Sequence, residues 1–569
     1  MPSSAMNRRI FFSDVIEESL PSETVKPTVQ EPSEYANKTL PTVARSLAGT
    51  EPYTGPWGFE QVAHLLRRTS FGASRSTIDA MLSLSMDEIV EILVSELAIP
   101  DPPLNTNSSD TGAPVGQTWV NAPTSDFNGS RHTSLKSWWA GLLINQPVSL
   151  HENMTLFWHN HFATEATVIK DARLTYRHNT LLRQYALGNF KELVKQVTIN
   201  PAMLRYLNGE KNTKTSPNEN YARELQELFT IGKGPEIAPG NYTNYTEQDV
   251  QEAARVLTGW RIDTTIFTSY FVPNRHDTGN KQFSSAYQNT IILGKTGADG
   301  ATELDDILNM IFAQQETAKF ICRKLYRWFV YYIIDSATET NVIVPLADIF
   351  RTNNYDIKPV LRALFKSAHF YDSVNIGCVI KNPIDFNVGL VRLFSVQFPD
   401  SSNVTRQYNH WKYLREQASF MQMDLCEPPN VAGWPAYYQT PQFHELWINS
   451  DTIQKRGKYS DTLVTTGYTQ NSFTLIIDPI AFAQLISNPS DPNILIAELV
   501  QYLFPIAITD NQKTFLKDAL IPGLPDYEWT NEWLAFQSDP NDPVKRNAIT
   551  AKLQTLLRTM MGMAEYYLM

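Results

Sequence analysis

Apolar residues recur at the helical period along most of this chain. After Thr246, Glu247, Gln248 and Asp249, the residues Val250, Ala253, Ala254 and Leu257 fall on one face, so Thr246 starts a helix that Gly259 ends. The same spacing marks 303–313, 316–333, 340–352, 357–368, 383–396, 479–487, 492–504 and 541–562. Capping boxes at Ser85-Met86-Asp87-Glu88 and Ser149-Leu150-His151-Glu152 place two more helix starts, because the hydroxyl and the carboxylate satisfy amides that a first turn leaves unpaired. Between Arg261 and Leu293 the pattern changes: Ile262, Ile266, Tyr270-Phe271-Val272, Phe283 and Ile291-Ile292 sit among Thr, Ser and Asn as in short strands. The predicted fold is mainly α, a large multi-helix globular domain with a small antiparallel β-hairpin insertion near 261–293. No repeat of fixed period is present.

Two stretches lack periodicity. Pro2 to Pro56 is rich in Pro, Ser, Thr and Glu and is expected to form a flexible N-terminal arm over 1–56. Asp101 to Ser130 carries Pro, Asn, Ser, Gly and Thr and is expected to be a loop insertion, 101–130. A core helical domain then spans 57–460, and a C-terminal helical extension packed on it spans 461–569.

Composition narrows the function classes. Hydrophobic residues at 42% and aromatics at 11% describe a folding chain, and 569 residues allow one elaborate domain or two to three ordinary ones. A net charge of −11 without any dense basic run argues against nucleic acid as a partner. No apolar run of about eighteen residues occurs, so no transmembrane segment is expected. Cys322, Cys378 and Cys426 are far apart and read as buried free thiols. No GxSxG elbow, phosphate-cradling Gly loop, HExxH helix or nucleotide-cofactor motif is found.

Several segments, in order, carry a family pattern. They are His64-Leu65-Leu66-Arg67-Arg68 with Ser70-Phe71-Gly72, Met154 through Phe162, Asn179 through Phe190, and Asn218-Glu219-Asn220-Tyr221-Ala222-Arg223-Glu224-Leu225. Tyr245 through Trp260, His276-Asp277 with Lys281, Pro428 through Pro435, and Trp447-Ile448-Asn449 complete the set. Together they resemble the uncharacterised bacterial family catalogued as domain of unknown function number eighteen hundred. The resemblance implies a bacterial source, frequent export, and a protein partner of phosphatase- or sulfatase-like fold encoded nearby; it implies no reaction. Arg8-Arg9 is followed too soon by Ser13-Asp14 and Glu17-Glu18 for an export segment, which leaves export and a cytoplasmic address both open.

The polar residues of these segments are the candidate chemistry. At 100° per residue Leu150, Met154, Phe157 and His161 share one stripe of a helix, while Glu152 and His159 face the other way about twenty degrees apart. They are catalytic candidates that would orient each other or a ligand, although a His–Glu pair is also a common structural hydrogen bond. From Asn218, Glu219, Arg223 and Glu227 form a solvated row, whereas Asn220 and Glu224 sit on the border of the apolar face, where a carboxylate is partly desolvated. Glu224 and Asp277 join the catalytic set. Asn220, His276, Lys281, Asn430 and Trp434 are substrate-binding candidates, the indole as a stacking wall. A divalent metal is compatible with such groups, with no residue assigned as its ligand.

Two functions are expected. One is a hydrolase or lyase acting on a polar polymer or glycan through His/Glu/Asp acid–base or metal chemistry. The other is a non-catalytic assembly or cell-surface protein working with the phosphatase-like partner.

Overall fold

The computed structural model describes residues 34, 35, 38, 46–123 and 126–569. It is mainly helical, and its strands among the described residues form four two-stranded antiparallel sheets. One hydrophobic cluster runs from Val62 to Tyr567, so the segment 461–569 shares the core of the segments before it. No helix among the described residues is long and apolar enough to cross a membrane.

Most of the arm expected over 1–56 lies outside the described residues. Its last part is tied down: the Tyr53 amide donates to Lys366 O at 2.8 Å and the Ala368 amide to Glu51 O at 2.7 Å. Of the expected loop 101–130, residues 101–123 are irregular, as their composition dictates, and anchored, whereas 128–130 already belong to the next helix. Arg131 donates to both carboxylate oxygens of Asp110 at 2.7 and 3.0 Å, and the Trp119 indole donates to Ser134 Oγ at 3.0 Å. The Asp110 and Arg131 side chains have no exposed surface, and a buried pair of this kind holds only with full hydrogen bonding.

Helix α1, Asn128–Asn145, packs along a later helix, Val404–Phe420. Gly141 is the reason the two can meet, since a Cβ there would lie 2.6 Å from the Trp411 ring. Helix α2, His151–His161, is buried at every position. Its cap corrects the sequence reading at Ser149. Leu150 is the N-cap residue, Ser149 Oγ accepts from the His151 amide at 3.0 Å, and Glu152 does not close a capping box. The carboxylate turns instead to a buried arginine on helix α3, Ala172–Gln184, because a charge-assisted bidentate contact is stronger than one bond to a cap amide.

Helix α4, Pro201–Tyr206, precedes α5, Glu219–Glu224, which widens into a π turn over Leu225–Thr230. That turn breaks the expected row of charges. Arg223 pairs with Glu219 and with Glu247, while Glu227 is carried round to Lys233 and the Tyr245 hydroxyl. Hairpin β1, Glu236–Ala238, with β2, Asn241–Tyr242, follows. Helix α6, Glu247–Val256, has the capping box Thr246/Asp249, and Gly259 turns the chain at φ +102°.

The expected single hairpin near 261–293 is two small antiparallel pairs. Strand β3, Trp260–Asp263, pairs with β4, Thr268–Phe271, and β5, Lys281–Gln282, pairs with β6, Ile291–Ile292. Helices α7, Glu303–Phe312, and α8, Gln315–Phe329, carry the chain back into the core. A last hairpin, Tyr468–Gln470 with Phe473–Leu475, turns on Asn471 and Ser472, both at positive φ. The sequence hides it because Asn-Ser is a weaker mirror-turn signal than Asn-Gly.

Candidate functional site

Glu152 and His159 share a face of α2, and both meet Trp139 of α1. The indole donates to Glu152 Oε2 at 2.9 Å, and its ring stands edge-on to the His159 imidazole at 5.2 Å. Arg183 of α3 donates to Glu152 Oε1 at 2.7 Å and Oε2 at 3.0 Å, and Asn179 accepts from the same guanidinium at 2.7 Å. Every oxygen of Glu152 is therefore engaged by a structural partner. His159 differs: it is 2% exposed, wedged between Trp139 and Trp434, and its Nε2 has no hydrogen-bond partner among the described residues. Burial, helped by the charges of His178 and Lys136, pushes its pKa down to about 3, so the ring is neutral.

Glu224 closes the α part of α5 just before the π turn, and such turns are frequent at functional sites. Its half-buried carboxyl makes no hydrogen bond or ion pair with a described residue. Burial first, and the neighbouring Glu227 second, push its pKa up to about 7. Its charge reaches Tyr206, which belongs to a polar group that the motifs did not reveal. Tyr206, at the end of α4, donates to Glu165 Oε1 at 2.8 Å, and the charges of Glu165, Glu224 and Glu427 together raise the phenol's pKa, after burial. Glu427 is paired with Lys136 of α1 at 3.1 Å and accepts from the Thr167 hydroxyl at 3.0 Å. Lys136 also meets Asp424 at 2.9 Å.

Lys136 thus links this cluster to His159: it pairs with Glu427 and Asp424, and its charge bears on the imidazole. Asp277 is not part of it. Its carboxylate is gripped by Arg255 of α6 at 2.9 and 3.1 Å and caps Gly279, and no hydrogen bond or ion pair joins it to Glu224 or His159. The Arg255 contact and the charge of Lys281 outweigh burial and lower its pKa.

The residues beside Asp277 are internal. His276 and Lys281 are 1% and 0% exposed. His276 Nε2 lies 3.0 Å from Glu303 of α7, and Lys281 Nζ lies 2.5 Å from the other oxygen of that carboxylate. They clip the β insertion to α7, and Glu303 is the partner that sequence spacing could not supply. Asn220 is exposed at the start of α5. Asn430 is exposed too; its side chain accepts from the Ala432 amide and donates to the Tyr438 hydroxyl. Trp434 departs from the expected stacking wall. It is 1% exposed, its amide donates to Asn160 at 2.8 Å, and its ring faces His159, because Gly433 lets the turn press onto Asn160.

Among the described residues no three His, Cys, Asp or Glu side chains converge as a metal site. The arrangement suits proton transfer: a carboxyl without a partner among the described residues, its pKa pushed up to about 7, whose charge reaches the Tyr206 phenol. No curated protein and no solved structure matches the chain. A family model does, over residues 64–568, past the last of the resembling segments near 460. The chain belongs to that family, described as protein of unknown function (DUF1800).

Proposed function

We propose that this protein is a hydrolase or lyase acting on a polar polymer or glycan, with Glu224 as its general acid or base. The observation that carries the reading is the Glu224 carboxyl itself: half-buried, without a partner among the described residues, and with its pKa pushed up to about 7. A catalytic acid works best when its pKa lies near the operating pH. Two carboxylates in unlike surroundings are the common equipment for cleaving glycosidic bonds, and the neighbouring Glu227, whose charge helps raise the Glu224 pKa, is paired with Lys233. Tyr206 adds a hydroxyl of the sort that binds sugar hydroxyls. His159, buried and neutral, stands between Trp139 and Trp434; Asp277 holds the β insertion through Arg255.

The test is a panel of neutral and acidic polysaccharides, assayed for reducing ends and for unsaturated products. The wild type should act on at least one, and Glu224→Gln should lower kcat about 100-fold or more with the fold intact. Equal activity in the variant removes Glu224 from the chemistry.

The second reading, an assembly protein that binds a phosphatase- or sulfatase-like partner, draws on a different observation. Ile237, Ile266, Tyr270, Ile291 and Leu293 are exposed apolar side chains within one segment of short strands, a composition suited to a contact surface. It gains if the wild type acts on no polymer in the panel.

A further inference from the structure

At the end of the π turn the carbonyls of Leu228 and Phe229 take their hydrogen bonds from side chains. His161 Nε2 lies 3.0 Å from Phe229 O, and Lys324 Nζ of α8 lies 3.1 Å from Leu228 O and 3.1 Å from His161 Nδ1. These contacts fix the protons. A carbonyl only accepts, so His161 carries its hydrogen on Nε2; burial keeps the ring neutral, so Nδ1 presents a lone pair and Lys324 donates to it.

A neutral lysine has two N–H bonds and one lone pair. Both N–H bonds have acceptors here, which leaves the lone pair free. No carboxylate among the described residues pairs with Lys324. His161 of α2 faces it, Arg323 and Arg327 flank it on its own helix, and the Phe320 ring lies 5.0 Å away. Arg323 is held by Glu316 and Glu339, and Arg327 donates to Tyr332 O. Burial, with the Arg327 charge behind it, pushes the amine pKa down to about 7, the setting in which lysines become nucleophiles.

We infer that Lys324 is a nucleophilic amine site for small aldehydes or ketones, with His161 as its proton relay. The nitrogen lone pair forms a bond to the carbonyl carbon while the C=O π pair moves to oxygen. One nitrogen proton passes through His161 Nδ1 to that oxygen, the second leaves with the hydroxyl as water, and a C=N bond remains. Carbon and nitrogen keep their oxidation levels, so no further reactant is consumed. The site stands independently of the role of Glu224.

The experiment treats the full-length protein at pH 7 with propanal and cyanoborohydride, then measures alkylation of each lysine by peptide mass spectrometry. Lys513 is the reference, being 51% exposed. Lys324 should react at least about tenfold faster than Lys513, and the advantage should shrink to within about threefold near pH 10.5, where an ordinary lysine is half neutral. A Lys324 rate equal to or below that of Lys513 at pH 7 overturns the inference. So does an advantage that stays unchanged with pH, since that would report access and not proton state.

Discussion

At the residue scale the decisive contrast is between Glu152 and Glu224. Both carboxylates are partly or wholly removed from bulk water, yet Glu152 meets Arg183 and Trp139, while Glu224 meets no such partner among the described residues. Burial without a partner favours the neutral acid. This gives Glu224 a signature in stability. Its folded pKa, about 7, lies above the ordinary 4.5. Below 4.5 both folded and unfolded chains hold the proton and nothing is lost; as pH rises toward 7 the unfolded chain releases it first, and the folded state is penalised. Glu224→Gln abolishes that penalty. The variant should therefore melt above the wild type at pH 8, with the two melting temperatures converging at pH 4, as measured by calorimetry. A variant that melts lower at pH 8 would mean that the carboxylate is stabilised by a partner.

Among the elements, α2 shows what sequence periodicity can and cannot convey. The 100° geometry separated His159 from His161 and put Glu152 on the face of His159; all three follow from local spacing alone. The partners do not, because Arg183 lies on α3, Lys136 on α1 and Glu303 beyond the β insertion. The same limit explains Ser149, whose capping pattern is locally sound and loses to a stronger tertiary contact. It also explains the π turn after α5, since no residue from Leu225 to Thr230 announces a wider helix. Helices at 303–313 and 541–562 were legible because their apolar faces are long and regular, as α7 and Pro543–Gly562 bear out. A buried pair with side chains 1% and 7% exposed holds α2 to α3. Breaking it by Glu152→Gln leaves Arg183 without a counter-charge and should cost about 3 kcal/mol, read as a lower urea midpoint at unchanged slope. No change in midpoint would place the charge of Arg183 elsewhere.

On the scale of the whole molecule, one core unites the described chain from Val62 to Tyr567, and the polar side chains the sequence singled out are divided by it. His276, Asp277 and Lys281 fasten the β insertion; Glu152 fastens two central helices; His159 is sealed between two indoles; Glu224, half-buried, has no partner among the described residues and its charge reaches Tyr206. Family membership fixes kinship without fixing a reaction, so the weight of the functional account rests on that carboxyl. Its titration is the most direct measurement. In protein carrying ¹³C at the glutamate side-chain carboxyls, with the Glu224 resonance assigned by its loss in Glu224→Gln, the account predicts a midpoint near 7. A midpoint near 4.5, that of an ordinary solvated glutamate, would contradict it.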